Sequence, residues 1–276
     1  VGRASVSGTA TVVWQRLRAE SVSVQLVAGT IARARGAPGA PMLSGFVSRA
    51  MVAQDQGSPG EEAVGEAHVY TLPARIDLEP GVPVATALFP RALVPVTQEL
   101  IVPGTLPFRG YLQSSPGEPN RVPVQVWYTL SRPRGTGFGE RPLPGGTVQL
   151  YQADSAGRLQ LVGEAATEHT APGRDLRVQS GDAFDVTAER VQTDFVQEQI
   201  PPARRGLPAR QRVTASYRVT LNNAKPSPVT VDVRETRAGT WAVVTSSVPS
   251  EKVSATEVRF PLVVPAKGEA TLTYTV

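Results

Sequence analysis

Cysteine is absent from the 276 residues, and histidine and methionine occur only twice each. Without cysteine there is no disulfide framework, no thiolate zinc site and no cysteine nucleophile. The redox compartment stays open. The two imidazoles, His68 and His169, stand in neither an H-E-x-x-H nor an H-x-x-H arrangement. A histidine-based metal site would therefore need carboxylates brought from afar. His68 alternates inside EAHVYTL as a strand residue, and His169 precedes Thr170 in a turn. No G-x-S-x-G elbow is present to carry a serine nucleophile. Nor does any run approach the 18 apolar residues that a membrane-spanning helix needs. A basic n-region followed by an apolar h-region is likewise missing at Val1.

Two further patterns invite a chemical reading and fail it. RGTGFGERPLPGG (Arg134 to Gly146) is glycine-rich, but it lacks the G-K-[ST] ending and the G-x-G-x-x-G spacing of phosphate loops. It reads as a loop between strands. Asp182 and Asp185 in GDAFDV read as a turn cap and a polar strand position. Calcium needs six to eight oxygens, and no acidic loop of that density is present. The expectation is a non-enzyme with no catalytic residue, cofactor or metal.

Charge says little about partners. There are 28 Lys+Arg against 24 Asp+Glu, a net charge of +4, with arginine dominating the cations. So small an excess falls short of the concentrated basic face of a nucleic-acid binder, and no nucleic-acid partner is expected.

What the chain does contain is valine and threonine in short alternating runs, with 25 glycines and 25 prolines between them. TVQLYQ and RLQLVGE each have period two, separated by Ala153-Asp154-Ser155-Ala156-Gly157, a hairpin loop. Strands are predicted at Ser7–Trp14, Ser21–Ala28, Ala67–Leu72, Val84–Phe89, Val96–Val102, Val122–Leu130, Thr147–Gln152 and Arg158–Gly163. They continue at Leu176–Gln179, Phe184–Phe195, Arg212–Asn222, Val229–Glu235, Trp241–Ser246, Glu257–Val263 and Ala270–Val276. Strands at such spacing, with turn signals between them, predict an all-β chain built as sandwiches or barrels. The expected organisation is two β-sandwich-like domains. Residues 1–180 form a β-rich domain with a long irregular insertion at about 30–66, and residues 181–276 form an immunoglobulin-like sandwich with Trp241 in its core.

Two segments break the strand pattern and are the expected partner-binding sites. Thr30 to Glu66 contains no predicted strand, and loops of that length are functional or disordered. Within it Met42, Phe46 and Ala50 share one helical stripe, with Leu43, Val47 and Met51 beside it. Methionine-rich surfaces repack against partners, and a short helix capping the core is the plainer reading. The second segment, QEQIPPARRGLPARQR (Gln197 to Arg212), carries Arg204, Arg205, Arg210 and Arg212 among three prolines. It reads as a solvated hairpin loop, or as a basic contact for an acidic protein face or lipid head groups.

PLPGGTVQLYQ, LVGE, the His169-Thr170 pair, GDAFDV and RVQTDF resemble the bacterial family catalogued as domain of unknown function 4139. VSVQLVAGTI, GEAHVYTLPARIDLEPG, LFPR, VQVWYTLS and PAKGEATLTYTV extend the likeness over most of the chain. The family has no settled activity, so the resemblance implies an extracytoplasmic, periplasmic address and no chemistry. Family members carry further residues before the LVAG-like run, where this chain has fewer than thirty. The resemblance thus implies that an upstream portion is missing or differently organised.

These readings converge on a non-enzymatic, extracytoplasmic β-protein acting by protein–protein contact. It would be a structural or accessory subunit docked on the periplasmic face of a membrane protein complex, with no transmembrane segment of its own and peripheral to the membrane. The alternatives are a soluble envelope module binding peptide or glycan through exposed aromatics such as Trp127-Tyr128 or Phe108 and Tyr111, and a hydrolase with an unrecognised site. On the leading reading, charge reversal at Arg204, Arg205 and Arg210, or Phe46→Asp, is expected to release the protein from its partner without lowering its melting temperature. Retention of the partner by both variants in a co-purification assay overturns that assignment.

Overall fold

A computed structural model describes residues 2–28, 50–52, 61–64, 67–104, 119–201 and 210–276. The chain is all-β: no described residue is helical. The strands are β1 (Gly2–Val13), β2 (Ala19–Val22), β3 (Val24–Ala28), β4 (Ala50–Val52), β5 (Glu61–Val64), β6 (Ala67–Thr71) and β7 (Ile76–Leu78). They continue with β8 (Pro83–Val102), β9 (Asn120–Val122), β10 (Gln125–Leu130), β11 (Gly146–Ala153), β12 (Leu159–Thr167) and β13 (Leu176–Asp182). The last are β14 (Val186–Ile200), β15 (Arg210–Asn223), β16 (Val229–Thr236), β17 (Thr245–Ser246), β18 (Glu251–Lys252), β19 (Glu257–Val264) and β20 (Gly268–Thr275).

Two compact units form, but not as two contiguous pieces meeting near residue 180. One unit gathers Val1–Thr97, Thr129–Val148 and Ala165–Arg177; the other gathers Gln98–Tyr128, Gln149–Glu164 and Val178–Val276. Strand pairing between residues distant in the sequence sets this division, and a linear pass cannot see it.

In the first unit β1 runs antiparallel to β8 from Gly2↔Val96 to Val13↔Pro83. β3 and β6 pair antiparallel, with β4 on the outer edge of β3 and β5 on that of β6. Val12, Val24, Leu72 and Leu78 form a small core, with Trp14, Ile76 and Leu88 packed on it. The expectation of no strand between Thr30 and Glu66 is corrected by β4 and β5. Each supplies backbone partners to a strand edge that would otherwise hold unpaired N–H and C=O groups. Met51 lies in β4 opposite Gln25, so its backbone is extended and not part of a helical stripe.

Sequence reading also divides Pro83–Val102 into two strands, because LFPRALVPV contains two prolines. The strand continues through them. Val6 opposes Ala92 and Gly8 opposes Phe89, so Ser7 alone faces Pro90 and Arg91. This is a β-bulge, where the ladder is already interrupted and the missing N–H of Pro90 removes nothing, while Pro95 keeps its register opposite Arg3. Gly8 belongs to the same arrangement. A Cβ there would fall inside the Phe89 ring, so the aromatic closes over the glycine across the strand pair.

The second unit places β14 between β9 and β15, with β15 paired to β20 and β20 to β17. β16 pairs antiparallel with β19 and parallel with Leu100–Val102 of β8, and β18 lies along β19. Alternation on these strands sends Val219, Leu221, Leu272, Val231, Val233 and Phe260 into one core. Trp241 is half-buried against that core, as the sequence suggested. Its strand, however, is confined to Thr245–Ser246.

This core contains a polar knot. Glu235 is fully buried and Arg190 is 7 % exposed. Arg190 Nη2 donates to Glu235 Oε2 and to the Tyr274 hydroxyl, which itself donates to the same carboxylate oxygen. Arg237 Nη1 stands 2.8 Å from Glu235 Oε1, and Arg237 Nη2 donates to the Tyr217 hydroxyl at 2.8 Å. The Arg190 guanidinium lies 4.8 Å from the centre of the Tyr217 ring, which shields a cation held away from water. Burial drives the Tyr274 phenol well above its ordinary pKa, and it raises Tyr217 as well.

Glu235→Gln leaves Arg190 buried without its counter-charge, and a loss of about 3–5 kcal/mol is expected from denaturant midpoints. The folded chain holds the Tyr274 proton more tightly than the unfolded chain does. That contribution is complete below about pH 10 and is lost as pH climbs above it. Tyr274→Phe is therefore expected to be less stable at neutral pH, with a shallower alkaline fall.

Candidate partner-binding groove

The first unit carries a groove of about 370 Å³. One wall is seven consecutive residues of β8, Phe89 to Pro95; the other is Ser131, Pro133, Thr136, Gly137, Phe138 and Arg141. Successive strand residues point to opposite faces. A groove touching all seven therefore runs along the strand, not over one of its faces. Leu93 is 61 % exposed there, Arg91 is exposed, and Phe89 is buried at the end of the wall.

The second wall has no regular structure, and a single arginine holds it. Arg132 is fully buried. Its Nη1 donates to the carbonyls of Ala171 (3.3 Å) and Arg174 (3.0 Å), and its Nη2 to those of Phe138 (3.2 Å) and Arg141. The fork thus gathers four carbonyls from two separate chain segments, a task its fixed planar geometry suits. Its own backbone N–H donates to Asp175 Oδ1 at 2.8 Å. Burial pulls the guanidinium below the ordinary arginine value, with Asp175 acting against it.

Local bonds finish the loop. Thr136 Oγ1 donates to the Pro133 carbonyl at 2.8 Å and accepts from Gly139 N at 3.0 Å, while Gly135 N donates to Glu140 Oε1. Gly139 has no room for a side chain, because a Cβ would overlap the Pro133 carbonyl oxygen. Phe138 packs on Phe89 with ring centres 5.7 Å apart, and Arg141 lies 5.8 Å over the Phe89 ring. Ser131 N donates to the Pro95 carbonyl at 2.9 Å and closes one end.

Of the expected partner-binding residues, those that are described do not line this groove. Met42, Leu43, Phe46 and Val47 lie outside the described residues, as do Arg204 and Arg205. Met51 is in β4. Arg210 and Arg212 open β15 and are exposed, and Arg212 stands 3.8 Å from Glu198 on the paired strand. The hairpin expected around the basic segment is real, but its strands reach in to Ile200 and Arg210. The structure does not gather these residues into one described surface.

Of the candidate aromatics, Phe108 and Tyr111 are outside the described residues. Trp127 and Tyr128 are half-buried and hydrogen-bonded, to Gln125 and Gln98 respectively. His68 sits in β6, and His169 Nδ1 accepts a hydrogen bond from Gly145 N at 3.1 Å. No group of three or more metal-ligating side chains occurs among the described residues. The chain matches no family model, no curated protein and no solved structure.

The signals that could have found the groove were RGTGFGERPLPGG, read only as a failed phosphate loop, and the prolines flanking RALV. Arg132→Lys keeps the charge but loses the fork, and Gly139→Ala forces the loop open. Each is expected to speed amide exchange at Gly139 and Gly173, whose N–H groups bond within this loop system, at least tenfold. Unchanged protection in Arg132→Lys removes Arg132 as the loop's anchor.

Proposed function

We propose that the chain is a non-enzymatic, extracytoplasmic β-protein acting by protein–protein contact, as a structural or accessory subunit of a membrane protein complex. In this reading the groove along Phe89–Pro95 seats the partner, and the address is what the sequence resemblance implies. The observation that carries it is a preformed cleft whose walls combine Phe, Leu, Val and Pro with a few polar groups. Its volume is at the lower end for ligand sites, which suits a short stretch of another chain.

Rigidity adds support. A loop held by four carbonyl bonds to one buried guanidinium does not have to be ordered on binding, so less association energy is lost. No helix among the described residues is long and apolar enough to cross a membrane.

The test is mild-detergent purification of the native protein from its source membranes beside a Leu93→Asp variant. The native protein is expected to co-migrate in stoichiometric amount with an integral membrane protein. The variant is expected to lose that companion and keep its melting temperature. Recovery of the native protein as a lone species favours the peptide- or glycan-binding module. Retention of the companion by the variant moves the contact away from the groove.

A further inference from the structure

We infer that the groove takes an extended acidic peptide segment, laid along Phe89–Pro95 with its carboxylates on Arg91 and Arg141. This deepens the reading above and rests on it.

Three observations carry the inference. First, the lining contains two guanidinium groups, Arg91 and Arg141, and no carboxylate. Two of the three acidic residues of the supporting loops (Glu140, Glu168 and Asp175) accept backbone hydrogen bonds. Asp175 accepts from Arg132 N and Glu140 from Gly135 N. An anionic occupant therefore meets positive charge with no fixed negative charge in the lining.

Second, the groove follows a strand over seven residues, which is the path of an extended backbone and not of a helix or a flat bilayer. Third, Arg91 and Leu93 are exposed two residues apart on a wall that also offers prolines, while Arg141 lies over Phe89 from the other wall. That alternation of apolar and cationic positions matches a strand with aliphatic and acidic residues in turn. Single-stranded nucleic acid, the other long anion, needs exposed aromatic platforms. The two aromatics of this groove are both buried.

The bidentate geometry of arginine with carboxylate adds orientation as well as attraction. Neither side chain is committed elsewhere in a way that prevents it. Arg91 Nε donates to Ser5 Oγ, which leaves the terminal nitrogens. The Arg141 side chain lies over Phe89, and it is only its backbone carbonyl that binds Arg132.

The experiment places a benzophenone amino acid at position Leu93 of the full chain in its source membranes, followed by irradiation and mass-spectrometric mapping of the joined peptide. The expected product is a protein segment with at least two carboxylates within four residues of the joined site. Arg91→Glu with Arg141→Glu is expected to reduce the yield at least tenfold. Arg91→Lys with Arg141→Lys, which keeps the charge, is expected to stay within threefold and so to serve as the folding control.

Changing the mapped carboxylates to lysine should restore joining to the charge-reversed protein. A segment without carboxylates, a yield indifferent to charge reversal, or joining to lipid or nucleic acid overturns the acidic-peptide inference. The first two of these leave the partner reading standing. No joined protein at all removes the groove as a partner seat, and the inference with it.

Discussion

A guanidinium withdrawn completely from water must find acceptors, because burying an ion without partners costs far more than any single fold interaction returns. Arg132 meets that demand with main-chain carbonyls from residues 138, 141, 171 and 174. Two irregular segments, thirty residues apart, are thereby fixed to one point. Everything proposed for the groove depends on this constraint. The shape of the far wall and the seats of Phe138 and Arg141 on Phe89 follow from where Arg132 places those carbonyls.

The second unit solves a similar problem differently. There the buried arginine, Arg190, is matched by a carboxylate and covered by tyrosine rings. Carbonyl acceptors organise a loop, whereas the Glu235 pairing sits among strands that the apolar core already holds in place. One buried cation builds local shape, and the other adds a demand for exact partners inside an otherwise aliphatic interior. Arg190 Nε and Nη1 are buried without a hydrogen-bond partner among the described residues, which makes such a network sensitive to single changes.

Much of the strand content was legible because alternation with period two survives inspection of the sequence alone. β14, β15, β16, β19 and β20 lie within a few residues of their predicted limits. Reading failed where a local rule was overridden by distant pairing. Pro90 in LFPRALVPV predicts a break, but the bulge against Ser7 absorbs it. The segment holding Met51 has no alternation of its own and becomes a strand by pairing with β3. The groove was hidden for the same reason. Its walls lie about forty residues apart in sequence, and the residue that joins them looks like any surface arginine until its burial is known. Met42, Phe46, Arg204 and Arg205, conspicuous in the sequence, fall outside the described residues.

The interleaving of the two units bears on the chain's history as a gene. The path passes from one unit to the other five times, at residues 97, 128, 148, 164 and 177. No single cut yields one whole unit, and joining two ready-made coding segments end to end could not have produced this order. Neither unit is a portable cassette.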